Sequence, residues 1–153
     1  MGLNDDIAAL EVVPTFAGVE REALRLIAFA AESRILRAGD ILFRRGEPAD
    51  AGYLVRSGAI ALDARDDGSP TDHVVGPGVL IGELALFAET KRPATAIARE
   101  PSSVTKLPRS VLRRVLVEFP DAAVHLRAVF AERLNDMAGD LAAVRRALLS
   151  IER

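Results

Sequence analysis

Residues 78–95 of the chain read GVLIGELALFAETKRPAT, and they place charged side chains inside an otherwise apolar segment. Glu83 has apolar neighbours on both sides, and burying an unpaired carboxylate costs several kcal/mol. Glu83 must therefore be paired, solvated in a pocket, or protonated. Arg92 follows nine residues later, just before a predicted strand, and is the natural partner of Glu83.

The same segment predicts an anion site. Residues 84–87 can form one helical turn directly after Gly82, whose missing side chain allows close approach. The free amides at the start of that turn would point into the same concavity as Arg92. Amides and a guanidinium suit a phosphate, and Glu83 can accept a hydrogen bond from a sugar hydroxyl beside it. A phosphate and a ribose hydroxyl held together describe a nucleotide.

The residues around this segment predict short strands with helices at both ends. Between residues 34 and 107, β-branched or alternating runs are separated by turns such as Gly39-Asp40 and Ser57-Gly58, which indicates an antiparallel roll or sandwich. The predicted fold is mainly β with flanking α, an antiparallel, jelly-roll-like β-roll with N-terminal helices and a long C-terminal helix. We expect one domain over residues 1–153, made of a helical cap (1–31), the β-roll (34–107) and C-terminal helices (109–153) that Pro120 divides.

The long C-terminal helix carries a heptad repeat. Its apolar residues follow spacings of four, three, four, three and four: Phe130, Leu134, Met137, Leu141, Val144 and Leu148. This seam either packs onto its own β-roll or pairs two such helices across a homodimer. The homodimer is the favoured interpretation, because the seam from Phe130 to Leu148 outruns the span that a small roll can cover.

Composition excludes several classes of function. The 153 residues contain no cysteine, so disulfides, thiolate nucleophiles and zinc–sulfur sites are excluded. The formal net charge of −2 gives no general attraction to nucleic acid. No stretch reaches the roughly 20 apolar residues needed to cross a bilayer. His73 and His125 lie far apart, and no enzyme motif is present. We therefore expect a cytoplasmic protein with no catalytic residue, metal, cofactor or membrane partner.

The cassette segment (residues 82–95) resembles a known family. Gly82-Glu83-Leu84-Ala85-Leu86, followed by Arg92 and Ala94-Thr95, is similar to the phosphate-binding cassette of cyclic-nucleotide-binding domains, whose usual form is G-E-L-A-L, a spacer, then R-x-A-T. The resemblance covers roughly residues 14–134 and points to the type found in cAMP receptors and protein kinase A regulatory subunits.

The resemblance also implies a role for each site residue. Glu83 and the Gly82 backbone would hold the ribose 2′-hydroxyl, and Arg92 would neutralise the cyclic phosphate with help from the Ala85 amide. The expected ligand site is formed by Gly82, Glu83, Leu84, Ala85, Arg92, Pro93 and Ala94. Arg127 and Arg133 of the long helix are candidates for capping the base, by position alone. The alternative for Glu83 and Arg92 is a structural ion pair that closes the loop.

Pro93 departs from the family pattern. The residue after the arginine usually donates a backbone N–H to the phosphate, and in many cGMP-selective members a hydroxyl as well; proline has neither. Losing one such hydrogen bond weakens binding by about 1.5–3 kcal/mol. The expected ligand is therefore cAMP rather than cGMP. A non-nucleotide ligand, or a ligand-independent scaffold or dimerisation domain with a degenerate nucleotide site, is the alternative.

The resemblance implies an output through the C-terminal helices, which re-dock when the ligand binds. The chain ends at Arg153, soon after the seam, and leaves no room for a helix-turn-helix. We expect a stand-alone, bacterial-type sensor without direct DNA binding. Its signal would pass to an unidentified effector protein or to self-association.

Overall fold

A computed structural model describes residues 2–65 and 73–151. Four α-helices in this part of the chain are α1 (Leu3–Glu11), α2 (Arg21–Ala30), α3 (Arg109–Glu118) and α4 (Pro120–Ile151). Two short 3₁₀ helices lie at Pro14–Phe16 and at Glu83–Leu86, the second of which we name the cassette helix. The strands are β1 (Glu32–Leu36), β2 (Ile41–Phe43), β3 (Pro48–Ala49), β4 (Ala51–Ser57), β5 (Ile60–Asp63), β6 (Val74–Val75), β7 (Leu80–Ile81), β8 (Thr90–Lys91), β9 (Thr95–Ala98) and β10 (Ser102–Pro108).

The strands form the antiparallel β-roll that the sequence predicts. One four-stranded sheet has the order β1-β10-β4-β7, a second has the order β2-β9-β5-β6, and β3 pairs with β8 in a two-stranded ribbon. Both four-stranded sheets contribute to a single apolar cluster, so they pack face to face. The members of this cluster are Leu36, Phe43, Tyr53, Val55, Ile60, Ile81, Ala96, Ala98 and Val104.

The helices pack on the opposite face of the first sheet. Leu54 of β4 and Leu107 of β10 join a second apolar cluster that contains residues from all four α-helices. Strand β4 is therefore covered on both faces, which explains why it reads as a continuous apolar run. Leu86 anchors the cassette helix in this same cluster. The apolar positions that indicated the N-terminal helices are all buried: Ile7, Leu10, Val19, Ala23, Leu24 and Ile27.

The C-terminal helices divide where the sequence predicts. Helix α3 ends at Glu118, and α4 begins at Pro120, whose ring suits the first turn of a helix. Phe130, the first residue of the heptad seam, stacks on Phe87 of its own chain, with ring centroids 4.7 Å apart. Leu134 is 45% exposed. The other seam side chains lie outside the described residues, namely Met137, Leu141, Val144 and Leu148. The homodimer and the single-domain organisation both stay predictions. Among the described helices, none is long and apolar enough to span a membrane.

The turn between β4 and β5 yields a stability prediction. Gly58 has φ +86°, and a Cβ there would overlap the Ser102 hydroxyl and lie 2.7 Å from the Pro101 carbonyl oxygen. Gly58→Ala therefore combines backbone strain with a steric clash and should cost about 2–4 kcal/mol in urea unfolding. Gly39→Ala is the matched control, with φ +90° and no atom within 4 Å, and should cost only about 1–2 kcal/mol. Equal losses in the two variants would contradict the clash.

Candidate functional site

The helical turn after Gly82 forms as the sequence predicts, but its type and its bounds differ from the prediction. Gly82 caps the cassette helix with φ 74°, in the left-handed region. The helical turn is of the 3₁₀ type and covers Glu83–Leu86, one residue earlier than expected, because Phe87 already serves as its C-cap. The Ala85 amide donates to the Gly82 carbonyl at 3.0 Å, so it is used inside the turn rather than left free.

A cavity of about 280 Å³ opens beside this segment. Four of the seven predicted site residues line it, namely Gly82, Arg92, Pro93 and Ala94, whereas Glu83, Leu84 and Ala85 do not. The rest of the wall is mostly apolar and comes from Phe43, Leu62, His73, Val75, Val79, Leu80 and Ile81. This wall could not be predicted from the sequence, because the pairing of β5 with β6 and of β4 with β7 determines which side chains face the cavity.

The Arg92 guanidinium is buried in the wall of this cavity, and the residue is only 5% exposed. Its Cζ lies 4.3 Å from the ring centroid of Phe43 and 5.5 Å from that of Tyr53. Among the residues that the structure describes, Arg92 forms no ion pair. Burial lowers the pKa of the Arg92 guanidinium, because the charged form loses hydration. Tyr53, Asp50 and Glu47 partly oppose that shift.

Backbone contacts hold Arg92 in place. Its Nη2 donates to the Ala51 carbonyl at 2.8 Å. The Arg92 amide donates to the Glu47 carbonyl at 2.9 Å, and the Gly46 amide donates to the Arg92 carbonyl at 2.8 Å. The ribbon formed by β3 and β8 ends next to these bonds. Hydrogen bonds from both the amide and the carbonyl of Arg92 therefore fix the backbone from which its side chain enters the cavity.

Glu83 does not pair with Arg92. The predicted ion pair between these two residues is therefore wrong, both as part of the ligand site and as a structural pair that closes the loop. Oε1 of Glu83 accepts a hydrogen bond from Arg133 Nε of α4 at 2.7 Å. Its Oε2 accepts one from the hydroxyl of Thr15, which lies in the first 3₁₀ helix. The two side chains do not pair because they point in different directions. Arg92 points into the cavity, and the carboxylate of Glu83 points toward the helices.

The contacts that Arg109, Arg133 and Thr15 make with the cassette segment were not predicted from the sequence. Nη1 of Arg109, the first residue of α3, donates to the carbonyls of Ala49 at 3.1 Å, Ala85 at 3.4 Å and Ala88 at 2.8 Å. Arg133 was a candidate only for capping the base, whereas the structure shows it on Glu83; Arg127 is exposed. These contacts join residues far apart in the chain, and no local pattern signals such pairs.

The chain belongs to the cyclic nucleotide-binding domain family, whose model matches residues 33–119. This domain is a regulatory, non-catalytic fold, and a cyclic nucleotide is the expected ligand of the family. The alternative interpretation, a ligand-independent scaffold, is not favoured by this membership. Across the residues with described positions, no group of three or more His, Asp or Glu is arranged to hold a metal ion.

Solved structures and curated relatives agree with this membership. A cyclic nucleotide-binding-like protein from Brucella abortus is 44% identical with a TM-score of 0.67, covering 74% of this chain and 99% of that one. The N-terminal domain of a transcriptional regulator from Streptomyces coelicolor is 31% identical with a TM-score of 0.76, covering 87% and 94%. The lysophospholipase nte1 of Aspergillus fumigatus is 30% identical over 86% of this chain, which spans only 9% of that enzyme's length.

The ring contacts of Arg92 yield a second stability prediction. Phe43→Leu keeps an apolar side chain and removes the ring under the guanidinium, and Arg92→Met removes the charge. A double-mutant cycle by urea unfolding should give a coupling free energy of about 0.5–2 kcal/mol, the range of a cation–π contact. The control cycle pairs Phe43→Leu with Arg45→Met, an exposed arginine, and should be additive. Additivity in both cycles would mean that the ring does not stabilise the charge.

Proposed function

We propose that this chain senses cAMP, and that the nucleotide binds in the cavity beside Arg92. The observation that carries the proposal is the buried Arg92 guanidinium, which lines an apolar cavity and lacks a counter-ion among the described residues. The proposed ligand site consists of Gly82, Glu83, Leu84, Ala85, Arg92, Pro93 and Ala94. Burying a guanidinium without a paired carboxylate carries a desolvation penalty, so an anionic ligand is the natural complement of Arg92.

The chemistry of a cyclic nucleotide fits both parts of the cavity. Its phosphodiester carries a single negative charge, which Arg92 can neutralise through charge-assisted hydrogen bonds. Its purine is flat and largely apolar, and it can pack against the aliphatic wall that includes Leu62, Val75 and Val79. The cavity volume of about 280 Å³ lies just below the range of ligand pockets, which usually measure about 300–1,000 Å³.

The walls favour adenine over guanine. Guanine carries a carbonyl, a ring N–H and an amine that lose their hydration on burial, whereas adenine carries an amine but no carbonyl or ring N–H at these positions, and each such group costs free energy unless it finds a partner. The wall on which the purine is proposed to pack is aliphatic at Leu62, Val75 and Val79, whose side chains offer no such partner. Adenine has fewer groups to satisfy, so we propose cAMP rather than cGMP.

We propose that α3 and α4 transmit ligand binding to the partner of the sensor. The relatives include a lysophospholipase and a transcriptional regulator, which suggests that similar domains serve different outputs. We propose an unidentified effector protein as the partner here, or self-association through the seam from Phe130 to Leu148, without direct DNA binding. A cytoplasmic location is proposed as well, supported by the absence of cysteine.

Calorimetric titration tests the proposed ligand. Wild type should bind cAMP more tightly than cGMP, and Arg92→Met should abolish cAMP binding, because no other buried cation faces the cavity among its lining residues. The control variant, Arg45→Met, removes an exposed arginine and should bind as wild type does. Titrations at two temperatures guard against an enthalpy that passes through zero. Absence of heat from both nucleotides at both temperatures would overturn the proposal.

Pro93 offers a test of where the phosphate lies. Pro93→Ala restores a backbone N–H beside Arg92, and the added charge-assisted hydrogen bond should tighten cAMP binding by about ten-fold. Pro101→Ala, at an exposed proline outside the cavity lining, is the control and should not change the affinity. An unchanged affinity for Pro93→Ala in the same titration would show that the phosphate does not approach this backbone.

A further inference from the structure

Polar side chains are rare in the wall of the cavity. Among the lining residues that the structure describes, only Arg92 and His73 carry a polar side-chain group; the other side chains are apolar, and Gly82 has none. Arg92 is proposed to bind the phosphate, which leaves His73 as the side chain that can pair with a polar group elsewhere on the ligand. His73 is an exposed residue, so it lies where the cavity opens to solvent.

Strand pairing directs the His73 side chain into the cavity. The Leu62 amide of β5 donates to the His73 carbonyl at 2.8 Å, so His73 continues the pairing of β5 with β6. Side chains that lie opposite each other on paired strands share a face, and successive side chains on one strand alternate between faces. Accordingly His73, Leu62 and Val75 all line the cavity, whereas Val74 does not.

His73 lies across the second sheet from Arg92. Strand β5 separates β6 from β9, and β9 begins shortly after Arg92. Two strand spacings amount to about 10 Å. In a cyclic nucleotide, the phosphate and the base are attached to opposite sides of the ribose. A ligand whose phosphate binds Arg92 and whose purine packs on Leu62 and Val75 therefore directs the edge of its purine toward His73.

We propose that His73 determines specificity for the base, by accepting a hydrogen bond from the exocyclic amine of adenine. This inference rests on the proposed function, since it concerns the base end of the same cavity. An unprotonated ring nitrogen of imidazole can accept a hydrogen bond from an amine. Guanine carries a carbonyl at the same position, and two acceptors that face each other form no hydrogen bond. The contact therefore adds to the discrimination that the aliphatic wall provides.

The size of the effect follows from the exposure of His73. Water competes for the same amine, so the contact corresponds to one neutral hydrogen bond. Such a bond changes an affinity by about two- to ten-fold. The exposure also means that substituting His73 leaves the buried core intact.

The test is a calorimetric titration with cAMP and with the cyclic monophosphate of purine riboside, an analogue that lacks only the amine. The ratio of the affinity for cAMP to that for the analogue should fall about two- to ten-fold in His73→Leu. The ratio cancels any change in packing that the two ligands share. His73→Gln offers an amide oxygen as acceptor and should keep the wild-type ratio. Val74→Ala is the matched control, because Val74 is the next residue along β6 and does not line the cavity.

Each outcome separates the role of His73 from the proposed function. An unchanged or higher ratio in His73→Leu would overturn that role, because the amine would then not be the partner of His73. An equal fall in His73→Gln or in Val74→Ala would also overturn it, since neither variant removes an acceptor from the cavity. If cAMP binds and Arg92→Met abolishes that binding, these outcomes leave the proposed function standing. If wild type binds neither cAMP nor the analogue, the proposed function fails, and the role of His73 fails with it.

Discussion

The buried guanidinium of Arg92 is the constraint on which the rest of the site depends. Its Nη1 lies so close to Gly82 that a Cβ at that position would be 2.5 Å away. Gly82 is therefore needed both for its left-handed φ and for the space that Arg92 occupies. Phe43 comes from the second sheet and Tyr53 from the first, so the charge lies where the two sheets meet. Aromatic faces rather than a carboxylate offset its burial, which leaves the positive charge available to an anion.

A short backbone segment connects this charge to the C-terminal helices. Arg92 binds the carbonyl of Ala51, the Arg109 amide binds that of Asp50, and the Arg109 guanidinium binds that of Ala49. Arg109 also reaches Ala88, just after the cassette helix. Three consecutive carbonyls are thus shared between the arginine in the cavity and the first residue of α3. The cavity, the cassette segment and α3 form one contiguous set of hydrogen bonds.

The sequence predicts the local features of this site better than the long-range ones. The turn after Gly82, the entry of Arg92 into a cavity and the break at Pro120 follow from the residue types and their spacing. The partner of Glu83 could not be predicted, because Arg133 lies 50 residues away and Arg92 is the nearer cation in the sequence. The cavity wall was missed for a related reason: the faces of β5, β6 and β7 depend on pairing that no single strand reveals. The heptad spacing identified Phe130 as part of an apolar face but not which surface covers it, and that surface includes Phe87.

Glu83 and Arg92 turn in opposite directions, so the cassette segment makes two kinds of contact. Arg92 lines the cavity, where its charge is available to a phosphate in the conformation that the structure shows. The carboxylate of Glu83 accepts hydrogen bonds from Arg133 of α4 and from Thr15, so it ties the cassette helix to the helical layer. A contact shifts a conformational equilibrium only when its strength differs between the two states. In the proposed sensor, a ligand therefore affects α4 only if its binding changes the contacts between the cassette helix and the helices, because the described side-chain contacts of Arg92 lie with the strands.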